Sequence, residues 1–595
     1  MIISARLSAL RQAMLETQID AYIVPSTDPH QSEYPAPRWE AREWLSGFTG
    51  SAGTLVVTQH DAKLLTDSRY FLQATTELEG SGIELLKDHR ESGVFPIEEW
   101  LGATLMDGQT VGTDGRVTSL RSSRRLRKKL AEYELNLVLD EDLLRRIWSD
   151  RPAVPNRKIF EHTPDFSGEP WQDRLGRLID WMAGKDLDYY VISALDEAAW
   201  LLNLRGSDID FNPLCVAYFV VGRKGDHTLF AAPRPGFEAW TDNLPDGHRL
   251  EVHDYDKISS FLRRTNAINA DIGLDPATIS ARLAMHAGED KTTEVSSPIP
   301  AWKAVKNDKA LEHLRATMAR DAVALLRLRR WLDGAIAAGV DEAAVAHKLH
   351  ALRAEDEHFI TDSFPAIVGY AGNGAIVHYR APEEGSAKLK AEGLLLLDSG
   401  GQYTTGTTDI TRTFAVGETT EEMRRNFTLV LQGHIELSMA KFPVGTCGAQ
   451  LDPLARMPLW RHQLNYGHGT GHGVGFFLNV HEGPMSISQQ TKSPNAQYPL
   501  AAGMVVSNEP GYYKVGAYGI RVENLVAVQP ASTDGWLEFE TLTYFPIERS
   551  LIEQHMLTKD QVDWVNTYHA MVLERVGPLL EGEELEWLEE GCAEI

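Results

Sequence analysis

Five side chains between residues 398 and 523 are of the types that hold metal ions. Asp398 closes the apolar run Leu394-Leu395-Leu396-Leu397, and Asp409 follows in Thr407-Thr408-Asp409-Ile410-Thr411-Arg412. His472 lies in Gly467-His468-Gly469-Thr470-Gly471-His472-Gly473, Glu509 in Ser507-Asn508-Glu509-Pro510-Gly511, and Glu523 in Gly519-Ile520-Arg521-Val522-Glu523-Asn524. Four carboxylates and one imidazole are mostly hard oxygen donors, suited to divalent ions such as manganese rather than to a thiolate zinc site. Two such ions carry about +4, which four carboxylates neutralise. That balance predicts a dinuclear hydrolytic centre in the C-terminal half.

Each residue also has a plainer reading. Asp398 could cap a turn at Ser399-Gly400-Gly401, but a carboxylate directly after four leucines faces a core edge, where an unpaired charge is costly. Asp409 alternates with Thr411 and Thr413 on a β-branched strand, and two inward carboxylates need a cation or a shared proton between them. Arg521 and Glu523 are two apart and share a strand face, the spacing of a structural ion pair. His468 and His472 are four apart, as in a helical His-x-x-x-His zinc motif. Glycines at 467, 469, 471, 473 and 475 disfavour a helix, so that reading is dropped. A phosphate-cradling loop is dropped too, because no Lys-Ser/Thr pair follows. His481, in Asn479-Val480-His481-Glu482-Gly483-Pro484, reads by itself as a surface-loop histidine.

Strands over 393–398, 408–416, 504–509 and 520–528 would carry these residues, alternating with helices over 308–337, 341–355 and 420–441. Gly400-Gly401 offers turn chemistry, so the first two strands are expected to form an antiparallel hairpin. Antiparallel strands among long helices indicate an α+β layout. The stretch from Thr558 is expected to be helical, then to run out into a solvated tail rich in glutamate from Glu581 to Glu590.

The first half carries an internal repeat. Arg6-Leu7, Leu10, Met14 and Ile19-Asp20-Ala21-Tyr22-Ile23-Val24 recur as Arg174-Leu175, Leu178, Met182 and Leu187-Asp188-Tyr189-Tyr190-Val191-Ile192. Trp44-Leu45 with Gly50-Ser51 recurs as Trp200-Leu201 with Gly206-Ser207. In each copy an amphipathic helix leads into a short strand, so two related α/β domains are expected. Breaker-rich segments near Ser149-Asp150-Arg151-Pro152 and Ser296-Ser297-Pro298 give domains over 1–152, 153–305 and 306–595.

The 595 residues are too many for one core, and 43% hydrophobic with 24% charged residues is an ordinary globular profile. A net charge of −26 argues against a nucleic-acid partner. The one basic cluster, Arg121 to Lys129, reads as a solvated helix face. Three scattered cysteines indicate a reducing compartment. With no secretory signal and no long apolar span, a cytoplasmic location away from the membrane is expected.

The ligand set and its surroundings resemble the pita-bread-fold metallopeptidases, and most closely the cytosolic three-domain Xaa-Pro aminopeptidases (the aminopeptidase P family). The matching segments are Gly374–Tyr379, Leu397–Gly400, Gly406–Thr413, His468–Gly475, Phe477–Pro484 and Asn508–Tyr513, with Thr66–Gln73 and Trp200–Asn212 in the first half. The resemblance implies two creatinase-like N-terminal α/β domains followed by a pita-bread catalytic domain with a C-terminal helical extension. It implies that Asp398 holds one metal, Asp409 and Glu523 bridge both, and His472 serves the other. Glu509 would bind one metal and act on the nucleophilic water. His378, His468 and His481 match histidines lining the substrate site, with His468 the candidate donor to the oxyanion. Arg69 matches a first-domain arginine associated with substrate binding, and Arg521 would orient a metal-ligating carboxylate.

The implied reaction is hydrolysis of the bond between an N-terminal residue and a penultimate proline. The implied cofactor is a pair of divalent ions, manganese before cobalt or zinc. The resemblance further suggests a homodimer acting on peptides. Two competitors remain: a prolidase restricted to dipeptides, and a non-catalytic pita-bread domain that binds peptides. The second loses metal ligands, whereas all five are present here.

Overall fold

The repeat seen along the sequence becomes two sheets of the same topology. The computed structural model describes residues 2–88 and 96–595. Helix α1 (Ile2–Glu16) buries Leu7, Leu10, Ala13 and Met14 on one face and leads into strand β1 (Ala21–Pro25). Strands β2 (Thr54–Thr58), β3 (Ala62–Thr66), β4 (Glu84–Lys87), β5 (Thr110–Thr113) and β6 (Asn136–Val138) complete a sheet ordered β4-β3-β2-β1-β5-β6. Helix α2 (Trp171–Ala183) likewise buries Leu175, Leu178 and Met182 before β7 (Tyr189–Ile192). With β8 (Ala217–Gly222), β9 (Asp226–Ala231), β10 (Arg249–Asp254), β11 (Ile272–Leu274) and β12 (Thr293–Glu294), the second sheet runs β10-β9-β8-β7-β11-β12. In both, the first strand pairs antiparallel with the second and parallel with the fifth.

The copies diverge at one equivalent point. Arg69, three residues past β3, forks onto Asp67 with 25% of its side chain exposed. Arg234, three residues past β9, pairs with Asp208 at 2.6 Å with 1% exposed. The basic cluster lies on the Leu120–Ala131 helix, where Arg124 pairs with Glu289 and Glu294, and Arg125 with Glu98. Cys215, Cys447 and Cys592 are all unpaired. Among the described residues, no helix is long and apolar enough to cross a membrane.

The chain divides into two compact units, Met1–Pro164 with Glu169–Ile299, and Asp165–Gly168 with Pro300–Ile595. The second is built around helix α3 (Asp308–Ala337), which spans the expected residues, is capped by the Asn307 side chain and buries Leu314, Met318, Leu325, Leu328 and Leu332. A three-stranded sheet holds β13 (Leu394–Ser399) between Ile367–Tyr370 and β14 (Ile410–Ala415). A six-stranded sheet contains β15 (Gly471–Gly473), β16 (Val505–Asn508) and β18 (Asn524–Pro530), and β17 (Tyr518–Arg521) pairs with Gly511–Lys514. Helix α4 (Gly448–Trp460) follows the 421–438 helix.

Three sequence expectations change here. β13 and β14 do pair antiparallel, with Asp398 opposite Thr411, but Gly400-Gly401 is not the turn between them. The chain runs on through Gly401–Tyr403 and returns as Gly406–Thr407. A Cβ on Gly400 would stand 2.0 Å from the Thr408 carbonyl oxygen, so this glycine serves close backbone approach rather than a turn. The single strand expected over 520–528 is two, broken at Val522 and Glu523 where the chain passes from one sheet to another. The glutamate-rich end is not a free tail. Beyond α5 (Lys559–Val576) it forms α6 (Glu583–Gly591), whose Glu583 and Glu584 meet Arg330 and Arg327 of α3.

Candidate metal centre

The broken strand and the paired one bring the five expected ligands to the edges of two sheets. Asp398 is the penultimate residue of β13 and Asp409 immediately precedes β14. His472 is the middle residue of β15, and Glu509 follows β16, its backbone N–H donating to the Thr470 carbonyl at 2.8 Å. Glu523 sits at the changeover, its N–H bonded to the Thr411 carbonyl at 3.1 Å. Asp409, His472 and Glu523 offer ligand atoms that all lie within 4.8 Å of one another. His472 Nε2 is 3.4 Å from Asp409 Oδ2 and 3.5 Å from Glu509 Oε1.

The tautomer of His472 follows from its other nitrogen. Nδ1 is 3.0 Å from the Gly473 carbonyl, which only accepts, so Nδ1 carries a proton and Nε2 is the atom turned toward two carboxylates. With no metal bound, a second proton on Nε2 meets those carboxylates, and a metal cation held by the same atoms would take that proton's place. Asp398 adds to the same demand, because its Oδ1 is buried with no hydrogen-bond partner. Four carboxylates, one imidazole nitrogen and a single adjacent guanidinium leave a buried excess of negative charge. The donor set therefore fits two hard divalent cations.

Hydrogen bonds from neighbouring side chains hold the ligands. The Ser507 hydroxyl donates to Glu509 Oε1 at 3.0 Å and accepts the His472 backbone N–H at 2.9 Å. The Thr411 hydroxyl donates to Glu523 Oε2 at 2.7 Å and accepts from Arg521 Nε at 3.1 Å. Sequence reasoning assigned no role to either, although each stands two residues from a ligand, the spacing that puts strand side chains on one face. Arg521 does not pair with Glu523, because the strand breaks between them. Its Nη2 donates to Asp398 Oδ2 at 2.5 Å and its Nη1 to the Tyr513 hydroxyl at 2.6 Å.

Around this group, His468 has both ring nitrogens occupied. Nδ1 donates to the Gly469 carbonyl at 2.7 Å, so Nε2 accepts the Tyr513 O–H at 2.8 Å. Tyr513, quoted in a matching segment but given no role, thus joins His468 to Arg521 and Asp398. The His481 ring stands edge-on to His472, 4.4 Å between centroids. His378 is half-buried beside Val377, whose carbonyl takes a long 3.5 Å contact from Arg521. Arg69 belongs to the first unit, where Asp67 engages it through two contacts of 2.8 Å.

Charge crowding shifts the titrations. Burial pushes the Asp398 carboxyl up to about 6, with Arg521 opposing and Asp409 adding to the rise. Burial, then the carboxylates of Asp409, Glu509 and Asp398, hold Glu523 well above the usual carboxylate range. Burial alone would lower His472, but the Asp409 and Glu509 carboxylates push it up to about 9. All three folded values lie above the unfolded ones, near 4 for the acids and 6.5 for histidine. Their contribution to stability is therefore complete at low pH and is lost as pH rises through the folded values. Bound cations relieve that loss. The melting-temperature gap between manganese-loaded and chelator-treated protein is expected to be wider at pH 7.5 than at pH 5; an equal gap would contradict this account.

The comparisons with known proteins agree with this geometry. A family model for metallopeptidase family M24 matches residues 312–530, and one for the C-terminal region of that peptidase matches 535–595. Models of the creatinase/prolidase N-terminal domain match residues 6–144 and 150–310, one for each of the two related N-terminal sheets. The chain is 39% identical to aminopeptidase P2 of Arabidopsis thaliana over 630 residues, covering 99% of this chain and 88% of that one. It is 38% identical to Xaa-Pro aminopeptidase 1 of Dictyostelium discoideum, covering 97% and 94%. The crystal structure of X-prolyl aminopeptidase from Caenorhabditis elegans, described as a cytosolic enzyme with a di-nuclear active site, matches at TM-score 0.93 and 32% identity over 100% of both chains. Two creatinase-type N-terminal domains, an M24 catalytic domain and full-length likeness to these enzymes converge: the chain belongs to the Xaa-Pro aminopeptidase (aminopeptidase P) family of M24 metallopeptidases.

Proposed function

We propose that this protein is a metal-dependent Xaa-Pro aminopeptidase that releases the N-terminal residue preceding a penultimate proline. One observation carries the proposal at the level of residues: His472 Nε2 faces the Asp409 and Glu509 carboxylates across 3.4 and 3.5 Å, in a buried acidic group. Asp398, Asp409, His472, Glu509 and Glu523 would hold two divalent cations, with manganese the native pair and cobalt or zinc able to substitute. Bound there, such cations make water a nucleophile at neutral pH and polarise the scissile carbonyl.

The chain's own groups supply the proton steps. Glu509 keeps one oxygen on Ser507 and takes a proton from the attacking water with the other. As water oxygen bonds to the carbonyl carbon and the C–N bond breaks, Glu509 returns that proton to the proline nitrogen. His468 would donate to the developing oxyanion, for which one of its present partners, Gly469 or Tyr513, must give way. His378 and His481 would shape the proline side of the pocket, and Arg69 would have the substrate-binding part that the family resemblance implies. A proline bond has no N–H to read, so shape and the free substrate amine set the specificity.

Leu454, Met457 and Trp460 form an exposed apolar stripe on α4, 37%, 43% and 40% exposed. That stripe supports a homodimer. Three unpaired cysteines support a cytoplasmic location, and the strongly acidic composition supports peptides rather than nucleic acid as partners. The function is tested by stripping metal and adding back manganese, cobalt or zinc with an Xaa-Pro-Xaa peptide. Release of the first residue, greatest with manganese, is expected. Cleavage of Xaa-Pro dipeptides alone would instead make the protein a prolidase.

A further inference from the structure

We propose that a buried ion pair on α4, Asp452–Arg456, is a positioning device that sets the register of His468 for catalysis. Both side chains are completely buried and lie four residues apart on the helix, 2.7 Å between Arg456 Nε and Asp452 Oδ2. The guanidinium spends its remaining donors on the glycine-rich segment and on Asn465 just before it, whose Oδ1 accepts from Nη1 at 3.1 Å. Nη1 donates to the Tyr466 carbonyl at 2.8 Å, Nη2 to the His468 carbonyl at 2.7 Å, and the group lies 3.9 Å from the centre of the Tyr466 ring.

The second Asp452 oxygen reaches the same segment. Oδ1 accepts the Thr470 hydroxyl at 2.6 Å, so Thr470 in turn accepts the Tyr466 O–H at 2.6 Å. The Thr470 carbonyl then takes the Glu509 backbone N–H. Residues 465–470 form no helix or strand, and glycines flank His468 on both sides, so the backbone has little conformational preference of its own. One planar fork gripping carbonyls 466 and 468 while anchored on Asp452 supplies that preference. A lysine keeps the charge but cannot reproduce the fork.

The inference rests on His468 acting on the substrate, and the test separates the two ideas. R456K, H468A and the double variant are compared by kcat, KM and metal content. Misplacement of a catalytic group by about 1 Å costs up to about 10²-fold, so R456K is expected to lower kcat by about 10- to 100-fold with KM and metal content held. In the H468A background the same change should cost less than about 2-fold, since the two act as one unit. An equal loss in both backgrounds, or an unchanged kcat in R456K, overturns the positioning role. Full activity of H468A overturns the reading of His468 itself, and this inference with it. If R456K does not fold, Y466F, which deletes a single hydroxyl, carries the same cycle.

Discussion

Asp409→Asn is expected to abolish peptide hydrolysis, lowering kcat/KM by roughly 10³-fold or more, about 4 kcal/mol of transition-state stabilisation. Asp409 is buried, and its Oδ2 is 3.4 Å from His472 Nε2 within the group it forms with Glu523. Asparagine keeps the volume but removes one of the four negative charges and can turn an N–H₂ toward the cations. Metal content should fall with activity. Metal-free stability should move the other way. Asp409 is the largest charge acting on Glu523 after burial itself, so neutralising it relieves a repulsion that the cations would otherwise offset. A variant that is inactive, metal-poor and, in chelator, at least as heat-stable as the parent is the expected result. Retained peptidase activity would refute the dinuclear assignment.

Arg412→Met is expected to destabilise the catalytic unit by about 4 kcal/mol or more, since each buried acceptor left unpaired costs about 1–3 kcal/mol. Arg412 is 3% exposed. It donates to the carbonyls of Pro546 at 3.1 Å, Thr411 at 2.9 Å, Glu523 at 2.6 Å and Phe545 at 2.7 Å, and to Asn524 Oδ1 and the Tyr568 hydroxyl, both at 2.8 Å. Methionine fills similar space and satisfies none of these acceptors; the Thr411 and Phe545 carbonyls keep the Glu523 N–H and the Tyr568 hydroxyl, whereas those of Pro546 and Glu523 are left unpaired. The loss reaches the centre directly, because one orphaned carbonyl belongs to Glu523 and another group lies on α5. Denaturant unfolding, followed by loss of activity, measures it; a shift below about 1 kcal/mol would show that water or repacking replaces the guanidinium.

The sequence made some of this legible and concealed the rest for physical reasons. Helix α3 was legible to the residue because a sustained apolar face marks it, and the Asn307 cap came to light only in the structure. The expected ligands could be named because each is a carboxylate or imidazole where an apolar or glycine-rich run makes it conspicuous. The break at Glu523 was hidden, since Ile520, Val522 and Val526 keep strand periodicity straight through a change of sheet. The plainer pairing of Arg521 with Glu523 failed for the same reason: its partner Asp398 is 123 residues away, and no local spacing reveals it. Ser507 and Thr411 were within reach of a period-two argument. Tyr513, Asp452 and Arg456 were not, because their contacts join segments that no periodicity connects.

The duplicated sheets have one more implication. The same topology delivers an arginine to the same address in both copies, three residues past the third strand. In the second copy that cation is sealed against Asp208 and committed to holding its own domain together. In the first it stays on its neighbour Asp67, with a quarter of its side chain exposed. One arginine thus serves as ballast while its twin rides at the waterline, where a side chain can change without risking the fold of its domain.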